Sequence, residues 1–106
     1  MKPLSEKPSL QEFQQYVREL VRERGFSDQP LAETFMKFFE EAGEMSRAAK
    51  HASKMIRDET SEVADLSHEI ADVFIYLLDI CNHFNVDLET AFREKEEINK
   101  KRQWKK

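Results

Sequence analysis

Hydrophobic positions recur at helical spacing along most of the chain and divide it into four amphipathic stretches. Residues 1–8 contain two prolines and several charges, which predicts a loose lead-in. Ser9 and Glu12 form a capping-box pattern ahead of Leu10, so the first helix is predicted to begin there. Gly25 is predicted to end this helix, because glycine favours the left-handed backbone of a helix C-terminus.

The second stretch predicts a long helix from about Gln29 to about Ser53. Asp28 is the expected N-cap, and Pro30 is tolerated in a first helical turn. Gly43 interrupts the pattern at a cost of about 1 kcal/mol relative to alanine. We expect close packing of another helix to require the space, more than the approach of a ligand. Residues 54–61 are polar and predict a linker.

The third stretch is apolar nearly all the way round. It is predicted to begin at Thr60 or Ser61 and to run to about Phe84, with Asn85 as a left-handed stop. Asp72 and Asp79 are its only charged residues between positions 70 and 81. A helix of this kind is buried on several sides, and in a short chain that favours cover from a partner subunit.

The fourth stretch predicts a helix with Asp87 as its N-cap and an end near Trp104. The chain is therefore predicted to be an all-α, four-helix protein, with residues 1–106 forming a single domain. The 106 residues include only two glycines and three prolines, which favours long helices over a turn-rich β fold.

Composition narrows the classes of partner. The formal net charge is −4, so we do not expect the chain to bind nucleic acid. No apolar stretch reaches membrane length and the first twenty residues are polar, which predicts a protein without a membrane span or signal peptide. A cytoplasmic location is the expectation that follows. The single cysteine, Cys81, is expected to pack as a small hydrophobic residue.

Two pairs of acidic residues carry the candidate chemistry. Glu41 and Glu44 lie three positions apart on the second helix, and Glu69 and Asp72 have the same spacing on the third. Antiparallel packing of these helices would bring the pairs face to face. Two such charges about 5 Å apart repel by roughly 3 kcal/mol at an effective dielectric constant near 20. An all-oxygen site of this kind suits Mg²⁺ or Mn²⁺.

The two acidic pairs have two other possible explanations. Ordinary solvated helix faces would explain an isolated Glu-x-x-Glu pair well, but they explain Asp72 badly, because its neighbours are apolar and a buried acid needs a partner. A di-iron site would use Glu-x-x-His from two helices, and no glutamate here has a histidine three residues later. His51, His68 and His83 are therefore expected to be surface or partly packed residues.

The order of these motifs resembles the all-α nucleoside triphosphate pyrophosphohydrolases, the MazG-like and dCTP pyrophosphatase family. The resembling pattern is Glu-Glu-x-x-Glu at 40–44 followed by Glu-x-x-Asp at 69–72. Val-Asp-Leu-Glu at 86–89 and Lys-x-x-x-Asn-x-x-Arg at 95–102 extend the resemblance over about residues 29–104.

The resemblance implies Mg²⁺-dependent hydrolysis between the α- and β-phosphates of a nucleoside triphosphate, in nucleotide-pool house-cleaning. It assigns Glu40 and Glu41 to catalysis, with Glu40 orienting or deprotonating the attacking water. It assigns the metal to Glu41, Glu44, Glu69 and Asp72 and the triphosphate to Lys95, Asn99 and Arg102. It also implies a homodimer or homotetramer with sites between subunits.

Two alternative functions stay open at this point. A phosphoribosyl-ATP pyrophosphohydrolase would share the fold and the metal chemistry, and only its substrate would differ. A non-catalytic helical interaction or regulatory module would neither bind metal nor turn over nucleotides. Which base and sugar are preferred cannot be read from these residues. Phe35, Phe38, Phe39 and Tyr76 are expected to pack in the core more than to stack on a base.

Overall fold

Four α-helices account for most of the residues that the computed structural model describes, which are 1–53 and 65–104. The helices are α1 (Leu10–Glu23), α2 (Leu31–Ala52), α3 (Leu66–His83) and α4 (Leu88–Lys100). The described residues contain no strand, so the all-α prediction is confirmed. The predicted linker at 54–61 lies outside them. None of the described helices is long and apolar enough to cross a membrane.

Helix α1 begins and ends where its sequence predicts. The Ser9 hydroxyl accepts a hydrogen bond from the Glu12 backbone N–H at 3.1 Å. The Glu12 carboxylate does not close a capping box on Ser9. It accepts instead from the backbone N–H and the hydroxyl of Ser5, both at 2.7 Å, and so holds the lead-in against the helix. Gly25 ends α1 with φ 76°, in the left-handed region.

The predicted start of α2 was wrong by two residues. Pro30, and not Asp28, occupies the N-cap position, and no side chain caps this helix. A proline disfavours helical backbone at the residue before it, so Gln29 cannot begin the helix. The Pro30 carbonyl instead accepts the first bonds, from the N–H groups of Glu33 and Thr34 at 2.9 and 3.3 Å.

Helix α3 begins at Leu66 in the described residues and ends as predicted. Asp65 is its N-cap, with an extended backbone, and accepts from the backbone N–H groups of Ser67 and His68. The predicted start at Thr60 or Ser61 falls outside the described residues. At the other end, Asn85 has φ 54°, and the Val86 N–H bonds to the Cys81 carbonyl at 2.9 Å. This Schellman motif confirms the left-handed stop.

Helix α4 confirms its predicted cap but is shorter than expected. The Asp87 carboxylate accepts from the backbone N–H and hydroxyl of Thr90. The helix ends at Lys100 and not near Trp104. Beyond it the Arg102 N–H bonds to the carbonyl of Asn99, three positions earlier, at 3.1 Å. This spacing is that of a 3₁₀-type turn, so Arg102 is outside the α-helix.

The core lies between α1 and α3. Its buried cluster consists of Val17, Leu20 and Leu78. The rings of Phe13 and Phe74 add an edge-to-face contact between these helices, with centroids 5.5 Å apart. Cys81 is 6% exposed, which confirms that it packs as a small hydrophobic residue. Helix α2 also packs on α3, so α3 contacts both α1 and α2 and is the central helix of the described residues.

A network of amide side chains joins α1 to the turn between α3 and α4. Buried Gln14 donates to the Val86 carbonyl at 2.8 Å and accepts from the Leu88 N–H at 2.9 Å. It also donates to the Asn82 side chain, whose amide donates back to the Gln14 carbonyl. Arg18 donates to the same Asn82 oxygen at 3.2 Å. We call Gln14, Asn82 and these partners the amide corner.

Both helices of the α2–α3 pair leave large apolar side chains in solvent. Met36 and Phe39 on α2 are 70% and 68% exposed, and Ile70 on α3 is 50% exposed. The expectation that Phe39 packs in the core is therefore wrong within a single chain. An added Cβ at Gly43 would meet no atom within 4 Å. Close packing by another of the described helices is therefore not the reason for that glycine.

Candidate metal centre

Three of the predicted acids converge between α2 and α3. Carboxylate oxygens of Glu41, Glu69 and Asp72 all lie within 4.8 Å of one another. The helices run antiparallel here, because Lys37, one turn before Glu41, borders the same cavity as Tyr76, one turn after Asp72. We call these three residues the acid centre. The i, i+3 spacing of Glu69 and Asp72 places both acids on the face of α3 that meets α2.

The acids of this centre oppose one another's ionisation. Burial raises the pKa of Glu41 above its usual 4.5, and the charges of Asp72, Glu69, Glu40 and Glu44 raise this pKa further. Each cause disfavours a negative charge at Glu41. A cation placed among the oxygens would favour the ionised form and relieve the repulsion.

The prediction that apolar neighbours on α3 bury Asp72 is wrong. Ile70 is half exposed, and Asp72 itself is partly exposed. Ile70 faces solvent, whereas Phe74 and Ile75 pack against the core between α1 and α3 and do not cover Asp72. The acid on α3 that is largely buried is Asp79, whose side chain is only 14% exposed.

Glu44 and Glu40 lie beside the acid centre with cations of their own helix. Glu44 accepts from the Arg47 guanidinium at 2.8 Å. Glu40 lies 3.9 Å from the Lys37 ammonium, and both side chains are well exposed. Of the four predicted metal ligands, the structure therefore brings three together and pairs the fourth, Glu44, with an arginine.

Tyr76 and Lys37 lie next to the acid centre but are not among the site residues predicted from the sequence. Burial raises the pKa of the Tyr76 phenol, the charges of Glu41 and Asp72 raise it further, and Lys37 opposes them. The spacing of Tyr76 four residues after Asp72 is the signal that could have found it. Lys37 stands four residues before Glu41 and could have been found in the same way.

A cavity of about 300 Å³ opens beside the acid centre, between α1, α2 and α3. Asp72 and Lys37 border it at one end and Asp79 borders it as well. A wider groove of about 570 Å³ lies elsewhere, between α1 and the α3–α4 turn. None of the predicted site residues lines that groove, so the smaller cavity is the one relevant to the acid centre.

The three predicted phosphate-binding residues lie on or after α4, away from the acid centre. This helix packs chiefly on α1, and within the described part of the chain none of its residues is buried. Lys95 is exposed, and the Arg102 guanidinium lies over the Trp104 ring, 5.9 Å from its centroid. Asn99 buries its side-chain oxygen without a hydrogen-bond partner among the described residues. A helix ending near Trp104 would have carried all three residues on one face, but Arg102 lies past the end of α4 at Lys100 and does not share that face.

Comparison with known proteins identifies no family for this chain. A scan of the chain against models of protein families finds no match. A search of curated proteins likewise finds no protein that matches it.

Proposed function

We propose that this protein hydrolyses nucleoside triphosphates to a nucleoside monophosphate and pyrophosphate, with Mg²⁺ bound at the acid centre. The observation that carries the proposal is the convergence of Glu41, Glu69 and Asp72 from two antiparallel helices. The order of acidic motifs and of the Lys, Asn and Arg positions after them supports the same reaction. The cavity beside Asp72 supplies space for the organic part of such a substrate.

The donor set fits Mg²⁺, or Mn²⁺ in its place. All three ligand groups are carboxylates, which these hard cations prefer. Their oxygens are close enough to share one ion after small side-chain movements, and the mutual opposition at Glu41 favours a cation. A bound cation would neutralise phosphate charge and lower the pKa of coordinated water. Glu44 could join the site by leaving Arg47, because that ion pair is exposed and weak.

The chain's own residues would share the remaining work. Glu40 lies next to Glu41 at the exposed rim, where it can accept a proton from the attacking water. The oxygen of that water bonds to the α-phosphorus while the bond to the bridging oxygen of pyrophosphate breaks. Lys37, which borders the cavity, can donate to a phosphate oxygen from the same chain.

We also propose that a second copy of the chain completes the site. Helix α4 carries Lys95 and Asn99, with Arg102 just beyond it, yet packs chiefly on α1. The exposed side chains of Met36 and Phe39 on α2 and of Ile70 on α3 supply apolar surface that a second copy would cover. A homodimer or homotetramer would cover this surface and bring the basic residues of one copy to the acids of another.

The experiment that tests the activity is a panel of ribo- and deoxyribonucleoside triphosphates, canonical and modified, together with phosphoribosyl-ATP. Pyrophosphate release is measured with Mg²⁺ and with EDTA. We expect Mg²⁺-dependent release of pyrophosphate, and a fall of at least about 10²-fold in kcat for Asp72→Asn. Glu97→Gln on α4 is the matched control and should retain activity.

The same panel separates this proposal from its rivals. Release of inorganic phosphate without pyrophosphate would contradict cleavage between the α- and β-phosphates. Preference for phosphoribosyl-ATP over every triphosphate would favour that related enzyme. No metal-dependent turnover and no Mg²⁺ binding by calorimetry would leave a helical interaction module.

A further inference from the structure

We propose that the cavity between α1, α2 and α3 binds the nucleoside part of the substrate, and that Asp79 selects bases carrying an exocyclic amino group. This inference deepens the proposed function and rests on it, because it takes the ligand to be a nucleotide. It concerns adenine- and cytosine-type bases as against their keto counterparts.

The walls of the cavity suit a flat aromatic base. The apolar lining of the cavity consists of Leu20, Val21, the half-exposed Phe26, Ile75 and Tyr76, and Arg24 and Gln29 line it as well. Nucleotide-sized ligands are held by such apolar walls with a few placed polar groups. At about 300 Å³ the cavity accepts a base and sugar and not a much larger molecule.

Two aspartates of α3 border this cavity at positions seven residues apart. Asp72 belongs to the acid centre, where the phosphates would lie, and Asp79 follows two turns later. Seven residues of α-helix span about 10.5 Å along the axis. A nucleotide whose phosphates reach Asp72 would therefore extend its sugar and base along α3 toward Asp79.

Asp79 is a largely buried acid without a hydrogen-bond donor in the described part of the chain. Its side chain is only 14% exposed and accepts no hydrogen bond from residues 1–53 or 65–104. The Nε2 atom of His83 lies 3.8 Å from the carboxylate. Burial raises the pKa of Asp79 and the charge of His83 lowers it again. A buried carboxylate with lone pairs left over is stabilised by any donor that a ligand presents.

An ionised carboxylate accepts hydrogen bonds and cannot donate them. The amino group of adenine or cytosine is a donor and would pair with Asp79. The keto oxygen at the same position of hypoxanthine or uracil is an acceptor and would repel it. A site that offers an acceptor therefore discriminates against the keto base, because its carboxylate would stay unpaired.

The test compares the binding of matched nucleoside monophosphates, AMP with IMP and CMP with UMP. Each nucleotide is titrated into the full chain in the presence of Mg²⁺ at about pH 7.5, and binding is measured by NMR. Each pair differs only at the exocyclic group and the adjoining ring nitrogen. We expect the amino member to bind at least about tenfold more tightly. The largest shift changes should fall on residues bordering the cavity, Val21 and Ile75 among them.

Asp79→Asn keeps the shape and offers an amide donor, so the preference within each pair should fall below threefold. Glu6→Gln, an exposed charge change in the lead-in, should preserve it. Equal affinities in the wild type, a keto preference, or shift changes confined to other surfaces would overturn the inference. Equal affinities or a keto preference in the wild type would overturn the inference even where Asp79→Asn does not fold. Monophosphates need no hydrolysis, so this result is independent of whether triphosphates are turned over.

Discussion

The acid centre lies in the N-terminal half of α3 and the amide corner near its C-terminal end, and the two clusters of polar side chains are stabilised in different ways. At the corner, the neutral side chains of Gln14 and Asn82 bond to each other and to the backbone at 86 and 88. At the acid centre, Glu41, Glu69 and Asp72 bring like charges together with no cation of their own among the described residues. The corner is complete within one chain, whereas the acid centre gains stability only from something added.

Removing the central amide should have the largest effect on stability. Gln14→Ala leaves the Val86 carbonyl and the Leu88 N–H without partners. We expect a loss of about 3 kcal/mol in the free energy of unfolding, measured with urea, because each such group costs roughly 1–3 kcal/mol. Gln15→Ala is the control, since that exposed residue makes one 3.4 Å bond. A loss under about 1 kcal/mol at Gln14 would show that water replaces the network.

Mg²⁺ should stabilise the acid centre by a comparable amount. An ion present at a hundredfold excess over its Kd raises the free energy of unfolding by about 2.7 kcal/mol. Glu41→Gln should lose most of this gain, while Gln14→Ala should keep it, because Gln14 bonds to residues 82–88 and to no residue of the acid centre. Thermal unfolding with Mg²⁺ and with EDTA measures both. An equal Mg²⁺ effect in wild type and Glu41→Gln would place the ion elsewhere.

Gly43→Ala should stabilise α2 modestly. An added methyl group meets no atom within 4 Å, so the change should add up to about 1 kcal/mol from helix propensity alone. Urea unfolding at low and high protein concentration measures this effect. A variant that is destabilised, and more so at high concentration, would instead mean that a second copy packs against this position.

The smallest expected effect is on the pH dependence of stability. The pKa of Glu41 is raised above 4.5 in the folded protein, so its proton is held more tightly when folded. The contribution of Glu41 to the free energy of unfolding is therefore greatest below about pH 4.5 and is lost as the pH rises through its folded pKa. With EDTA, wild type should lose more stability than Glu41→Gln between about pH 5 and 7, by under about 1 kcal/mol because the acids are open to solvent. Parallel pH profiles of Tm would refute this coupling.

The sequence predicted the fold best where local bonding determines it. Ser9, Asp87 and Asn85 act as caps or stops because each needs only residues a few positions away. Asp28 failed because Pro30 restricts Gln29 more strongly than an aspartate favours a cap. The amide corner could not be predicted, because Gln14 and Asn82 lie 68 positions apart and amides pair with many partners.

The candidate site could be predicted only as a set of acids. Spacing along α2 and α3 identifies the residues that share a face, and Glu41, Glu69 and Asp72 do converge. Side-chain direction is a different matter, since Glu44 turns to Arg47 and Asp72 is less buried than its neighbours suggested. The role of Asp79 depends on how α1 and α3 enclose a cavity, which no pattern within one helix reveals.

The amide corner also bears on the order in which the chain folds. Its bonds join positions 64 to 74 residues apart, so they close a long loop for few contacts. Contacts of this kind form late, after the local helices and the nearer α2–α3 pair. We therefore expect a weakened corner to shorten the lifetime of the native state by faster unfolding, with the refolding rate nearly unchanged. The hydrogen bonds between α1 and the α3–α4 turn would therefore determine mainly how long the chain stays folded.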